Sequence, residues 1–125
     1  MKLMKAVGKI IILVSVAALF SWFFVVVVFA READNEVHAA VSCANTTTEA
    51  LALNGGRVSA LFVNDSTQTI WIAINQAAVA NEGIRLNANG GSYYISDLDG
   101  NLDREAVNCI VASGSGIILV TEWFN

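Results

Sequence analysis

The hydrophobic residues of this chain follow two patterns, one continuous and one alternating. Residues 10–30 form an uninterrupted run without a charged side chain. At about 1.5 Å per residue, a helix of this length spans roughly 30 Å, which is the hydrocarbon thickness of a bilayer. A helix in a soluble core seldom carries apolar residues on every side. The run therefore predicts one transmembrane helix.

The charges on the two sides of this run differ in sign. Only lysines are charged among residues 1–9, whereas acidic residues dominate the segment after residue 30. Because basic flanks stay on the inner side of a membrane, we expect an inner N-terminus and an exported C-terminal part. The run is longer than the apolar region of a usual cleaved signal peptide, which favours a retained signal-anchor. Cleavage after Ala39 is the alternative, and it would give a secreted protein.

Beyond residue 48, apolar and polar residues alternate, and clusters of Gly, Asn, Asp and Ser interrupt the alternation. This pattern predicts about seven short strands and a mainly β domain, either a small antiparallel β-sandwich or a Greek-key barrel. The predicted strands are Glu49–Leu53, Arg57–Val63, Gln68–Asn75, Ile84–Leu86, Ser92–Ser96, Ala106–Ala112 and Ile117–Trp123. We expect residues 31–48 to be a stalk and residues 49–125 to form the exported domain.

The composition excludes several classes of protein. The chain has 125 residues, of which 55% are hydrophobic and 14% are charged, and this is the reverse of a disordered chain. The part from Ala40 onward carries three arginines, no lysine and eight acidic residues, so its formal charge is 3 − 8 = −5. Because such a domain repels phosphate, we expect no nucleic-acid partner.

Three stretches of the domain resemble a known group of proteins. The succession RVSALFVNDSTQTIWIAIN, GIRLNANGGSYYIS and AVNCIVASGSGIILVTEW is similar to small all-β domains of bacteriophage virion structural proteins. The resemblance covers about residues 50–123 and consists of hairpins and turns. It implies a structural role at a virion surface, and it carries over no functional residue. The membrane segment departs from the pattern, and a membrane-containing phage would account for it.

Cys43 and Cys109 are the only cysteines. An even number of cysteines in an exported domain predicts a disulfide bond. The alternation places Cys109 on the same face as Val107 and Val111, which suits a buried bridge. Two free thiols are the alternative if the domain faces a reducing interior.

An acidic segment follows the predicted strand Ser92–Ser96. Oxygen-bearing side chains stand at alternate positions there, as in a calcium-binding loop. The glycine at position 100 falls two places too early for an EF-hand, so a plain turn is the competing interpretation. The candidate calcium ligands are Asp97, Asp99, Asn101, Asp103 and Glu105.

The remaining side chains point to contacts rather than to catalysis. His38 is the only histidine and precedes the predicted domain, so catalytic groups that need histidine are excluded from it. We therefore expect no enzyme and no cofactor apart from the calcium option. Aromatic side chains near the ends of two strands could contact a neighbouring subunit, and these are Tyr93, Tyr94, Trp123 and Phe124.

Together these patterns predict a non-enzymatic, membrane-anchored structural protein, most plausibly a virion component that forms homo-oligomers. The alternative is a secreted or cell-surface β-domain that binds calcium or a glycan.

Overall fold

A computed structural model describes residues 33–125 of the chain. This part consists of eight β-strands joined by turns and irregular segments. The strands are β1 (Asn35–Ala44), β2 (Thr48–Leu51), β3 (Arg57–Asn64), β4 (Ile70–Ile74), β5 (Ile84–Leu86), β6 (Ser92–Ser96), β7 (Val107–Val111) and β8 (Ser115–Phe124). Within these residues, no helix has the length and hydrophobicity to cross a membrane. The transmembrane helix predicted for residues 10–30 lies outside the described part.

The strands form two antiparallel sheets of four strands each. Sheet A has the order β1-β8-β3-β6, and sheet B has the order β2-β7-β4-β5. Eight strands in two sheets of this order form a jelly roll, which contains two Greek keys. The prediction of a mainly β, antiparallel domain is confirmed, and the two separate sheets make it a sandwich rather than a closed barrel.

The seven predicted strands are all present, and the structure has an eighth strand that the sequence pattern did not predict. Residues 35–44, expected to belong to a stalk, form β1, which pairs with β8 over ten consecutive residues. The stalk prediction is wrong for this segment. Its alternation is real, because Val41 and Cys43 share one face and Ser42 lies on the other. Three small alanines at positions 39, 40 and 44 weaken the hydrophobic contrast that would have revealed the strand.

The core lies between the two sheets and consists of alternate residues of their strands. Burying a valine, leucine, isoleucine or phenylalanine side chain contributes about 1.5–3 kcal/mol, so this layer supplies most of the stabilisation of the domain. The buried members of the cluster are Cys43, Ala50, Ala60, Phe62, Ile70, Ile72, Leu86, Ile95, Val107, Cys109, Val111, Ile118 and Val120.

Asn64, at the end of β3, is fully buried and joins three segments of the chain. Its side-chain Nδ2 donates to the carbonyls of Gln68 at 2.7 Å and Leu86 at 3.1 Å. Its Oδ1 accepts from the backbone N–H of Ser66 at 3.0 Å and from the Ser66 hydroxyl at 2.7 Å. The amide therefore satisfies backbone groups that the turns around it would otherwise leave unpaired inside the protein.

Replacing Asn64 with aspartate tests this arrangement. A carboxylate has the same shape but cannot donate to the Gln68 and Leu86 carbonyls, so we expect Asn64→Asp to lower the free energy of unfolding by about 2–4 kcal/mol. Denaturant unfolding of the full-length chain, followed by tryptophan fluorescence, measures this loss. Asn45→Asp, at an exposed position, is the control and should change stability little. Equal stability of the two variants would contradict the role of Asn64.

Candidate functional site

Cys43 and Cys109 form the predicted disulfide bond. Cys43 lies near the end of β1 in sheet A, and Cys109 lies in β7 of sheet B, so the bond connects the two sheets through the core. Both residues are fully buried, and their Cα atoms are 5.6 Å apart. Closing a loop with a sequence separation of 66 contributes about 4 kcal/mol on the chain-entropy model. The bond also fixes β1 to the rest of the domain.

Arg57 is the most deeply buried charged residue, with an exposed fraction of 0%. Its Nε donates to Oε1 of Glu122 at 2.7 Å, which links β3 to β8. Its terminal nitrogens donate to three backbone carbonyls, at distances between 2.6 and 2.8 Å. These carbonyls belong to Ala52, Asp103 and Glu105, in two connections that meet at this end of the sandwich. A buried charge with this many partners is structural, because every nitrogen of the guanidinium already donates a hydrogen bond within the fold.

The sequence analysis missed this ion pair, although one signal for it was present. Glu122 falls on the same face of its strand as Ile118 and Val120, so the alternation places a carboxylate in the core. A buried carboxylate requires a partner that donates hydrogen bonds. Arg57 is one of three arginines in the domain, and no spacing in the sequence identifies which of them supplies that partner.

The acidic segment between β6 and β7 forms turns and does not bring its candidate ligands together. Asp99 Oδ2 accepts from the Ser96 hydroxyl at 2.9 Å, and Asp103 Oδ1 accepts from the Glu105 N–H at 2.8 Å. Asp97 lies at the exposed start of the turn. Among residues 33–125, no three His, Cys, Asp or Glu side chains converge as a metal site requires. The segment forms turns that are closed by its own hydrogen bonds, and the calcium site stays a prediction.

Asn101, another predicted calcium ligand, has a different part in the same segment. Its Oδ1 accepts from the N–H of Ser96 at 2.8 Å, and its Nδ2 donates to the carbonyl of Tyr94 at 2.9 Å. Both bonds are made along the edge of β6 that faces away from β3. The Asn101 amide thus takes the place of a further strand at this edge of sheet A.

The four aromatic residues predicted as contacts separate into different environments. Tyr94 and Trp123 lie on the outer face of sheet A, with ring centroids 6.4 Å apart and ring planes at 75°. Tyr93 points the other way and packs against the core. Phe124, at the end of β8, is half-buried. Adjacent strand residues alternate between faces, which is why only one of the two tyrosines reaches the surface.

The outer face of sheet A is apolar across three strands. Tyr94 is 43% exposed, and Ile117 and Leu119 are each 38% exposed. By strand register, Thr121 of β8 also lies on this face, and Glu36 and His38 on β1 are the only acidic or basic side chains that the sheet's strands place there. We refer to the following set as the outer face of sheet A: Leu61, Val63, Tyr94, Ile117, Leu119 and Trp123.

The outer face of sheet B is buried, unlike that of sheet A. Trp71, Ala73 and Ile110 on that face are at least 90% buried. The connection between β4 and β5 covers them and packs Ala78 and Ala80 against the same cluster. The domain therefore covers one outer face with its own chain and leaves the other open.

The buried arginine gives a direct test of this end of the fold. We expect Arg57→Lys to lower the free energy of unfolding by about 3–5 kcal/mol, because an ammonium group lacks the planar fork that reaches Glu122 and three carbonyls together. Arg85→Lys, at an exposed position of β5, is the matched control. Thermal and denaturant unfolding of both variants provides the measurement, and similar losses would contradict the structural role of Arg57.

Comparison with known proteins leaves the chain without a family. No protein-family model matches it, and no curated protein is significantly similar to it. One solved structure shows some similarity to this chain, and it comes from Bacillus endospore appendages, which are described as a novel family of disulfide-linked pili. It has a TM-score of 0.42 and 15% identity, and the alignment covers 72% of this chain and 85% of that chain. At this TM-score the likeness supports neither a family nor a function, and it does not single out phage virion proteins.

Proposed function

We propose that the protein is a non-enzymatic structural module, anchored in a membrane by residues 10–30, whose exported sandwich associates with other copies of itself. The observation that carries the proposal is the open apolar outer face of sheet A. Scattered exposed apolar residues are ordinary, whereas a contiguous apolar face is typical of an interaction surface.

The polar interior supports a structural role. Arg57, Glu122 and Asn64 are buried polar side chains of the described residues, and their hydrogen bonds hold strands and connections together. Activating a nucleophile or binding a substrate needs polar groups that remain available in a cleft. These three side chains use their bonds within the fold instead.

Charge favours a second copy as the occupant of the open face. The chain from Ala40 onward carries a formal charge of −5, so two copies repel each other wherever their acidic segments approach. The outer face of sheet A contains no acidic residue beyond Glu36 at its β1 margin, and it allows close approach without that repulsion. Anchoring in a membrane also raises the local concentration of the copies, which assists a weak association.

The setting of the assembly is a finer part of the proposal. The hydrophobic run and its basic flank support a single-pass topology with the sandwich outside. The resemblance to bacteriophage virion proteins supports a location at the surface of a membrane-containing particle.

A charge placed on the open face tests the association. We expect the full-length chain in mild detergent to be oligomeric by native mass spectrometry and Leu119→Lys to shift it to smaller species, because an ammonium buried in a contact through the outer face has no partner there. Val79→Lys is the control, since Val79 is 48% exposed on the connection that covers sheet B. A monomeric wild-type chain would refute the proposal, as would a Leu119→Lys oligomer equal to that of the control.

The anchor has a separate test. We expect the intact mass of the mature chain to include residues 1–39 and the protein to stay in the membrane fraction after alkaline carbonate extraction, because a spanning helix resists removal. A mature chain that begins at Ala40 and is soluble would show that the segment is a cleaved signal peptide.

A further inference from the structure

The two sheets have four edge strands, and three of them are protected. On sheet A, Asn101 caps the edge of β6. On sheet B, β5 has three residues, and β2 has four residues with a register shift after Glu49. Short strands, irregular pairing and covering groups are the usual means by which proteins block the addition of further strands.

Among residues 33–125, none gives the β1 edge these protections. Its ten residues pair with β8 in continuous register from Asn35 to Ala44. The strand contains no lysine, arginine or proline, which are residues that commonly block an edge. Its first six residues are exposed, and Val37 is 51% exposed although it shares a face with Cys43 in the core. Sheet B leaves this half of β1 uncovered.

The direction of the backbone groups follows from one hydrogen bond. The Ala44 N–H donates to the Thr48 hydroxyl at 3.5 Å, away from β8. Because backbone groups alternate in direction along a strand, the even-numbered residues of β1 direct their N–H and C=O groups to the free edge. Glu36, His38 and Ala40 therefore present an unpaired ladder there.

The charges on β1 select one way of pairing with a second copy. Glu36 and His38 lie on the same outer face, with Oε1 and Nε2 3.0 Å apart, and their side chains are 47% and 69% exposed. An antiparallel pair centred on Val37 sets Glu36 opposite the partner's His38. A pair centred on Glu36 sets two carboxylates opposite each other, and one centred on His38 leaves Glu36 without an imidazole opposite it. Cross-strand pairs that can share a hydrogen bond stabilise a sheet, and like charges directly opposite destabilise it.

We infer that β1 pairs antiparallel with β1 of a second copy about a two-fold axis at Val37. Sheet A then continues through both copies, and Glu36 of each copy faces His38 of the partner subunit. The two exposed Val37 side chains meet on the uncovered inner face. This inference rests on the proposed self-association and adds a second contact between copies, through the β1 edge, to the one through the outer face of sheet A.

Cysteine cross-linking of the full-length chain in isolated membranes tests the register. Odd-numbered residues form the non-hydrogen-bonded pairs, whose Cα atoms are about 4.5 Å apart, which is within disulfide range. We expect Val37→Cys to form dimers on mild oxidation, as seen on a non-reducing gel. Ser92→Cys, at an exposed position of β6 on the opposite edge of the sheet, should form few.

A charge exchange tests the pairing independently. We expect Glu36→Lys, introduced into the Val37→Cys chain, to lower the dimer yield about threefold, and Glu36→Lys with His38→Glu to restore it. Equal yields from Val37→Cys and Ser92→Cys, in a chain that is oligomeric by native mass spectrometry, would overturn this register and leave the proposed function standing. A wild-type chain that is monomeric throughout would overturn both.

Discussion

The Arg57 guanidinium holds one end of the sandwich together. It is fully buried, it pairs with Glu122 of the neighbouring strand, and it binds carbonyls from two connections. A domain of this size has a small apolar core, so the irregular segments that close its ends require polar partners of their own. Asn64 provides them at the other end of β3, and the Cys43–Cys109 bond ties the two sheets together.

These buried contacts determine which parts of the surface remain available for association. Because the buried charges and amide are committed to the fold, the features that remain free belong to sheet A, namely its apolar outer face and the edge of β1. Sheet B is complete, since its outer face is covered and its edge strands are short. The asymmetry between the sheets is the physical basis for the proposal that the protein is a structural module that associates with its own copies.

The sequence predicted those features that depend on local patterns. Strict alternation and turn residues located seven strands, and the two cysteines implied their bond. The first strand was missed because alanines weaken its alternation, although its register with β8 is regular. The pairing of Arg57 with Glu122 joins residues 65 positions apart, and no local pattern encodes such a contact. The oxygen-rich segment shows the same limit, since the sequence lists its oxygens but not the backbone path that brings the Asn101 amide to the edge of β6.

Residue-resolved hydrogen exchange of β1 in the full-length chain tests the central claim most directly. The claim that sheet A is completed by a second copy predicts slow exchange of the Glu36, His38 and Ala40 amides under associating conditions. It predicts fast exchange of these amides on dilution to monomer, while the odd-numbered amides bonded to β8 stay protected. Fast exchange of the even-numbered amides in the associated protein would show that the β1 edge remains open, and it would contradict the account.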